Sequence, residues 1–252
     1  MGVLLDIDGT VLAAGHPLPG AADAIARLRD AGVPLLFATN TSRKSREAVA
    51  GSLRDAGIPV EPGEVLSAGH AAAVLLRGEG VRRVHLLLTP DARRDWDGFD
   101  DDDASPEAVV VGDLGTHFDF DTLNRAFRHL AGGARLVATQ KNRFWHAADG
   151  PTLDAGAFVA ALEYAARTEA LVVGKPAPDF FHLGAEILGR PVESLLIVGD
   201  DLESDVAGGR AAGLETCLVR TGKFDAERLA ASATPPDHVI DSIADVPDLL
   251  LR

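Results

Sequence analysis

Val3-Leu4-Leu5-Asp6-Ile7-Asp8-Gly9-Thr10 is the stretch on which the reading of this chain turns. Its apolar run fits a strand buried on both faces, and two carboxylates one residue apart put acid at the carboxyl end of that strand. Open α/β sheets keep their sites at that edge. Alone, the stretch reads more simply as a strand ending in a solvated Asp-Gly turn. The residues downstream reverse that preference.

Ala21, Ile25, Leu28 and Ala31 recur at helical spacing before Gly32, which predicts a helix over 19–31. A second strand over 33–38 ends at Thr39-Asn40-Thr41-Ser42. A helix carrying Val49, Leu53 and Ala56 follows, and its free N–H groups suit an anion, although the turn alone reads more simply with Thr41 or Ser42 as the N-cap. With a short strand over 64–67, the order strand, helix, strand, helix, strand predicts a parallel sheet.

The texture then changes. A helix over 71–80 and a strand over 84–88 lead into a polar stretch over 91–106, where Asp100-Asp101-Asp102-Asp103 reads as a solvated face and not as a metal site. A strand over 108–111, a helix over 120–131 and a strand over 135–139 make a second, smaller α/β unit. Residues 140–154 are expected to form a loop rich in side chains that recognise ligands: Asn142, Arg143, Trp145, His146, Asp149 and Asp154. An amphipathic helix over 155–167 leads out. The expected organisation is therefore a core built from 1–70 and 168–252, with an inserted domain over 71–167.

Past the insert, Leu171-Val172-Val173-Gly174-Lys175-Pro176 reads as a strand ending in a lysine between Gly and Pro. Leu195-Leu196-Ile197-Val198-Gly199-Asp200-Asp201 repeats the opening logic, with Asp205 in the first turn of the helix that follows. Asp6, Asp8, Thr39, Lys175, Asp200 and Asp205 are each expected at the end of a strand of one parallel sheet, where they can converge.

That inventory suits phosphoryl transfer. Asp6 can attack phosphorus to give an aspartyl phosphate. Asp8 can protonate the leaving oxygen and later deprotonate water. Three acids beside a phosphate need a cation, and hard oxygen ligands select Mg²⁺. The expected ligands are the Asp6 carboxylate, the Asp8 backbone carbonyl and Asp200, with Asp201 and Asp205 in the outer shell. Thr39 and the Asn40 amide would hold phosphoryl oxygens, while Lys175 offsets the charge on Asp6 and on the transferring group.

Composition narrows the partners. The chain has 252 residues, 46% apolar and 25% charged, with a net charge of −14. Nucleic acids and anionic membranes reward clustered Lys and Arg, so this balance argues against both. No apolar run reaches the roughly 18 residues of a membrane span. The single cysteine, Cys217, lies in an apolar run and reads as a buried strand thiol, and a reducing cytoplasm is the expected compartment.

Asp6-Ile7-Asp8-Gly9-Thr10, Thr39-Asn40, Gly174-Lys175-Pro176 and Gly199-Asp200-Asp201 through Asp205 resemble the four motifs of the haloacid dehalogenase superfamily. An α/β insertion between the second and third motifs resembles its NagD-like subfamily IIA. Residues 158–164 and 221–223 look closest to members that hydrolyse phospho-lysine, phospho-histidine and pyrophosphate. The resemblance implies a Rossmann-like core, a cap that reads the leaving group, and cap-mediated homodimers. A small phosphorylated metabolite is the expected substrate, with the phosphoramidate or pyrophosphate activity as an alternative. Carbon–halogen hydrolysis would need neither Asp8 nor a metal. A phospho-acceptor regulatory module is the alternative of another class, and Asp8 beside the acceptor argues against a long-lived phosphoaspartate.

Overall fold

Gly2–Asp6 is buried at all five positions, as are its neighbours Leu35–Thr39 and Leu195–Gly199. A strand covered on both faces needs such an unbroken apolar run. These three form the middle of a six-stranded sheet ordered His238–Ile240, Glu215–Val219, Leu195–Gly199, Gly2–Asp6, Leu35–Thr39, Val65–Ser67. The first four junctions are parallel. Register sets Asp6 beside Ala38, and Leu5 beside Val198. Asp6, Thr39 and Gly199 therefore close their strands at one edge. Helix Ala21–Asp30 lays Ala24, Ile25 and Leu28 into a core shared with Val3, Leu5, Phe37 and Leu53.

The computed structural model describes residues 1–147 and 150–251. It divides into two compact units. The first contains Met1–Thr39, Val49–Leu66 and the chain from Lys175 onward; the second contains Asn40–Ala48 and Ser67–Gly174. The second unit has its own parallel sheet, ordered Leu171–Val172, Arg135–Ala138, Ala108–Val111, Arg83–Leu87, Asp100–Asp101. Helices Phe120–Ala131 and Ala155–Ala166 cover it with Ala126, Leu130, Val159 and Leu162, and Phe118 stacks on Phe158 at 3.8 Å.

Four local expectations are corrected. Residues 140–154 contain a hairpin, Phe144–Ala147 paired antiparallel with Gly150–Leu153, which Gly150-Pro151 disguised as loop composition. Leu171–Val172 pairs with Val137 and Ala138 in the second unit's sheet, so a turn and not a strand of the main sheet delivers Lys175. Val173 and Gly174 continue that pairing by donating to Ala138 and Thr139. Helix Arg46–Asp55 begins four residues later than Ser42, and the Ser45 hydroxyl accepts from the Ala48 N–H at 3.3 Å. Ser42 instead accepts from the Asp113 N–H. Within the polar stretch 91–106, Trp96 is buried in a 3₁₀ turn and Asp100–Asp101 is an edge strand. Among the described residues, no helix is long and apolar enough to cross a membrane.

Candidate active site

Lys175, 3% exposed, stands at the end of the main sheet inside the first unit. Its Nζ donates to Asp6 Oδ1 at 2.5 Å, Asp205 Oδ1 at 2.6 Å and the Ala38 carbonyl at 3.3 Å. Burial alone would pull this ammonium down, but the Asp205 and Asp6 carboxylates outweigh it and hold its pKa above the usual lysine value. The lysine is therefore charged and fixes both acids. Thr10 Oγ1 donates to the other oxygen of Asp6 at 3.4 Å.

Asp200 is held on a floor of glycine. A Cβ on Gly9 would lie 2.0 Å from Asp200 Oδ2, and one on Gly222 would lie 1.9 Å from it. Both glycines also have positive φ, +90° and +60°. Asp200 Oδ2 accepts from the Lys223 N–H at 2.8 Å, and Thr221 Oγ1 donates to the Gly9 carbonyl at 2.6 Å, tying the two turns together. Asp201 accepts from the N–H groups of Glu203 and Ser204 and pairs with Lys223 Nζ at 2.9 Å. Thr221, Gly222 and Lys223 had no place in the expected site. They follow the strand Glu215–Val219, so the strand-end logic that picked Asp6 and Asp200 applies to them too.

Oxygens of Asp6, Asp200 and Asp205 lie within 4.8 Å of one another. Burial, and after it the charge of Asp6, pushes Asp200 up to about 7. Burial likewise pushes Asp205 up to about 6 against the pull of Lys175, and raises Asp6 above the usual carboxylate range. Three buried acids that resist ionising beside one lysine are a donor set short of positive charge, and their hard oxygens suit Mg²⁺. Asp205 has both oxygens engaged, one by Lys175 and one by the Asp201 N–H at 3.2 Å. Asp6 is also contacted at both oxygens, but the Thr10 contact is long at 3.4 Å, so that oxygen and the Asp200 carboxylate are the best placed to ligate, with Asp205 outside them.

Asp8 is exposed, and its backbone bridges to Leu12 as the turn folds over the Ile7 carbonyl. Thr39 is buried at its strand end, and Asn40 follows it as the first residue of the second unit. Asn142, Arg143, Trp145 and Asp154 also belong to that unit. Asp154 is buried and caps helix Ala155–Ala166, accepting from the Ala155 N–H at 2.7 Å and from Gln140 Nε2 at 2.6 Å. Burial holds its carboxyl above the usual range. Arg143 is exposed, and Trp145 is 42% exposed on the hairpin. The His146 backbone pairs with Pro151. Its side chain, like Asp149 as a whole, lies outside the described residues.

Comparison with known proteins fits this arrangement. Residues 3–100 match the family model of haloacid dehalogenase-like hydrolases, and residues 172–246 match a second model described as HAD-hydrolase-like. The phospholysine phosphohistidine inorganic pyrophosphate phosphatase of Rattus norvegicus is 35% identical over 257 residues, covering 100% of this chain and 94% of that protein. NagD from E. coli K-12 superposes with a TM-score of 0.90 at 28% identity, over 97% of each chain. The chain belongs to the haloacid dehalogenase superfamily, in its NagD-like subfamily IIA. Another haloacid dehalogenase-fold neighbour, a glycerol phosphate phosphatase from Mycobacterium tuberculosis solved with magnesium, has a TM-score of 0.88 at 28% identity. It covers 96% of this chain and 74% of its own.

Proposed function

We propose that this haloacid dehalogenase-type phosphatase hydrolyses a small phosphorylated metabolite through an aspartyl phosphate on Asp6, with Mg²⁺ as its cation. The observation that carries the reading is the buried Lys175, bonded at once to Asp6 and Asp205 while Asp200 stands within 4.8 Å of both acids. Lys175 keeps one oxygen of Asp6 engaged, which fixes the direction of the other. That oxygen forms a bond to phosphorus as the ester P–O bond breaks, and Asp8 gives its proton to the departing oxygen. Water then attacks the phosphorus, Asp8 takes the water's proton, and phosphate leaves Asp6. Thr39 and the Asn40 amide hold phosphoryl oxygens.

Asp6, Asp200 and the Asp8 carbonyl would hold the Mg²⁺, with Asp201 and Asp205 orienting them from outside; when bound, the ion neutralises charge on the transferring group. Lys223 adds a second cation, directed to Asp201. We read residues 71–167 as the inserted cap, with Asn142, Arg143 and Trp145 as its side chains toward the leaving group. Asp154 supports this hairpin through Gln140. The cap is also the surface through which a homodimer would form. The lone buried thiol Cys217, which burial pushes up to about 12, suits a reducing cytoplasm.

A second reading is supported by the rat relative, whose name specifies phospholysine, phosphohistidine and pyrophosphate. Under it the same Asp6 attack breaks a P–N or P–O–P bond. Phosphate release from monoesters, pyrophosphate and phosphoramidates, with and without Mg²⁺, tests both readings. Release that needs Mg²⁺ and disappears in Asp6→Asn is expected, and the best substrate decides between them. A stable phosphoprotein without turnover would favour the phospho-acceptor module instead.

A further inference from the structure

Away from the acids of the first unit, the second unit gathers two histidines and an aspartate. His85 lies on the strand Arg83–Leu87 and is 8% exposed. His129 lies in the last turn of helix Phe120–Ala131, and the two rings sit 4.8 Å apart, tilted by 55°. Asp103 follows the edge strand Asp100–Asp101 and brings Oδ1 to 2.9 Å from His85 Nδ1.

His129 Nε2 is shut away from solvent with no hydrogen-bond partner, while the equally buried His85 Nδ1 meets the Asp103 carboxylate. A buried ring nitrogen without a partner is rare in a folded protein, so His129 Nε2 calls for an explanation. One ring nitrogen from each histidine and an Asp103 oxygen lie within 4.8 Å of one another. A tetrahedral ion with bonds of about 2.1 Å needs its ligand atoms about 3.4 Å apart, which rotamer adjustments from the present spacing can reach. Arg125 Nη1 holds the other oxygen of Asp103 at 3.0 Å, as an outer-shell partner orients a ligating carboxylate.

The geometry assigns to His85, His129 and Asp103 a divalent transition-metal site, of the Zn²⁺ class, that clamps a strand, a helix and the acidic edge of the second unit's sheet. The donor set is N, N, O, which Mg²⁺ disfavours and Zn²⁺ or Co²⁺ accepts. The site shares no residue with the Asp6, Asp200 and Asp205 group. Its success or failure is therefore independent of the proposed phosphatase chemistry.

The test is Co²⁺ and Zn²⁺ titration of the full chain in excess Mg²⁺, which occupies the all-oxygen site. The expected result is one tight Co²⁺ per chain with visible ligand-field absorption, displaced by equimolar Zn²⁺. His129→Gln and the exposed Asp103→Asn should each weaken binding at least about 10- to 100-fold, and Asp200→Asn should leave it unchanged. Asp103→Asn keeps the test decisive if a histidine variant fails to fold. Absence of stoichiometric Co²⁺ absorption, or equal binding in the Asp103 and His129 variants, overturns the assignment.

Discussion

Asp200→Asn should make the chain more stable while removing a ligand, and the sign follows from burial. Asp200 is 3% exposed and prefers its neutral form, with its pKa pushed from 3.8 to about 7. The native chain therefore holds a proton that the unfolded chain releases above about pH 4. Stability conferred by the neutral acid is lost as pH rises toward 7, and the ionised state carries the cost above it. At about 1.4 kcal/mol per pH unit, that interval amounts to about 4 kcal/mol at pH 8, and to under half of that at pH 5.

The asparagine amide has nearly the same shape, can still accept from the Lys223 N–H, and never ionises. With about 2 °C per kcal/mol for a chain of this length, Asp200→Asn should melt up to about 8 °C above wild type at pH 8 in EDTA. The gain should fall to less than half at pH 5. Mg²⁺ should close more than half of the gap at pH 8, because wild type gains about 2.7 kcal/mol at a concentration of 100 Kd and the variant gains little. Thermal melts at the two pH values, with EDTA and with Mg²⁺, read all of this. A variant no more stable than wild type at pH 8, or a gain independent of pH, refutes the burial argument. Equal Mg²⁺ stabilisation of both proteins removes Asp200 from the ligand set.

Other outcomes follow from the same geometry. Asp6→Asn should still fold while losing turnover by at least about 1,000-fold, measured as phosphate release. Lys175→Met leaves Asp6 and Asp205 buried without their shared cation, so urea unfolding should show a loss of about 3–5 kcal/mol, and phosphate release should fall with it. Gly222→Ala puts a methyl 1.9 Å from Asp200 Oδ2 at a φ of +60°, so it should both destabilise by about 1–3 kcal/mol and weaken the Mg²⁺ titration.

How much of this was legible depended on whether a signal was local. Asp6 and Asp200 were readable because each ends a five-residue run buried on both faces, and such runs have few alternatives. Lys175 was legible as a lysine meeting the strand-end acids but not as to its carrier, because Leu171–Val172 has the composition of either sheet and only long-range pairing decides. The hairpin Phe144–Ala147 with Gly150–Leu153 escaped notice because its strands lack a clean alternation of apolar and polar residues. Asp154 looked like a recognition residue and is spent on capping, a role that a one-letter pattern does not separate from ligand contact. His85 and His129 are 44 residues apart, so nothing in their spacing could announce that they meet.

The site also explains why its glycines and its acids belong together. Asp200 is unwelcome as an anion where it sits, and a looser turn would let it swing toward water and relieve that cost. Gly9 and Gly222 prevent this by bringing two backbones so close to the carboxylate that a Cβ on either would stand 2.0 or 1.9 Å from Asp200 Oδ2. Thr221 then locks the turns to each other through the Gly9 carbonyl. Lys175 does the same for Asp6 and Asp205 with a charge instead of a close approach. The folded chain thus holds three carboxylates in a geometry that costs stability until a cation arrives, which places the gain from Mg²⁺ binding in the site itself and ties metal affinity to the rigidity of two glycine turns.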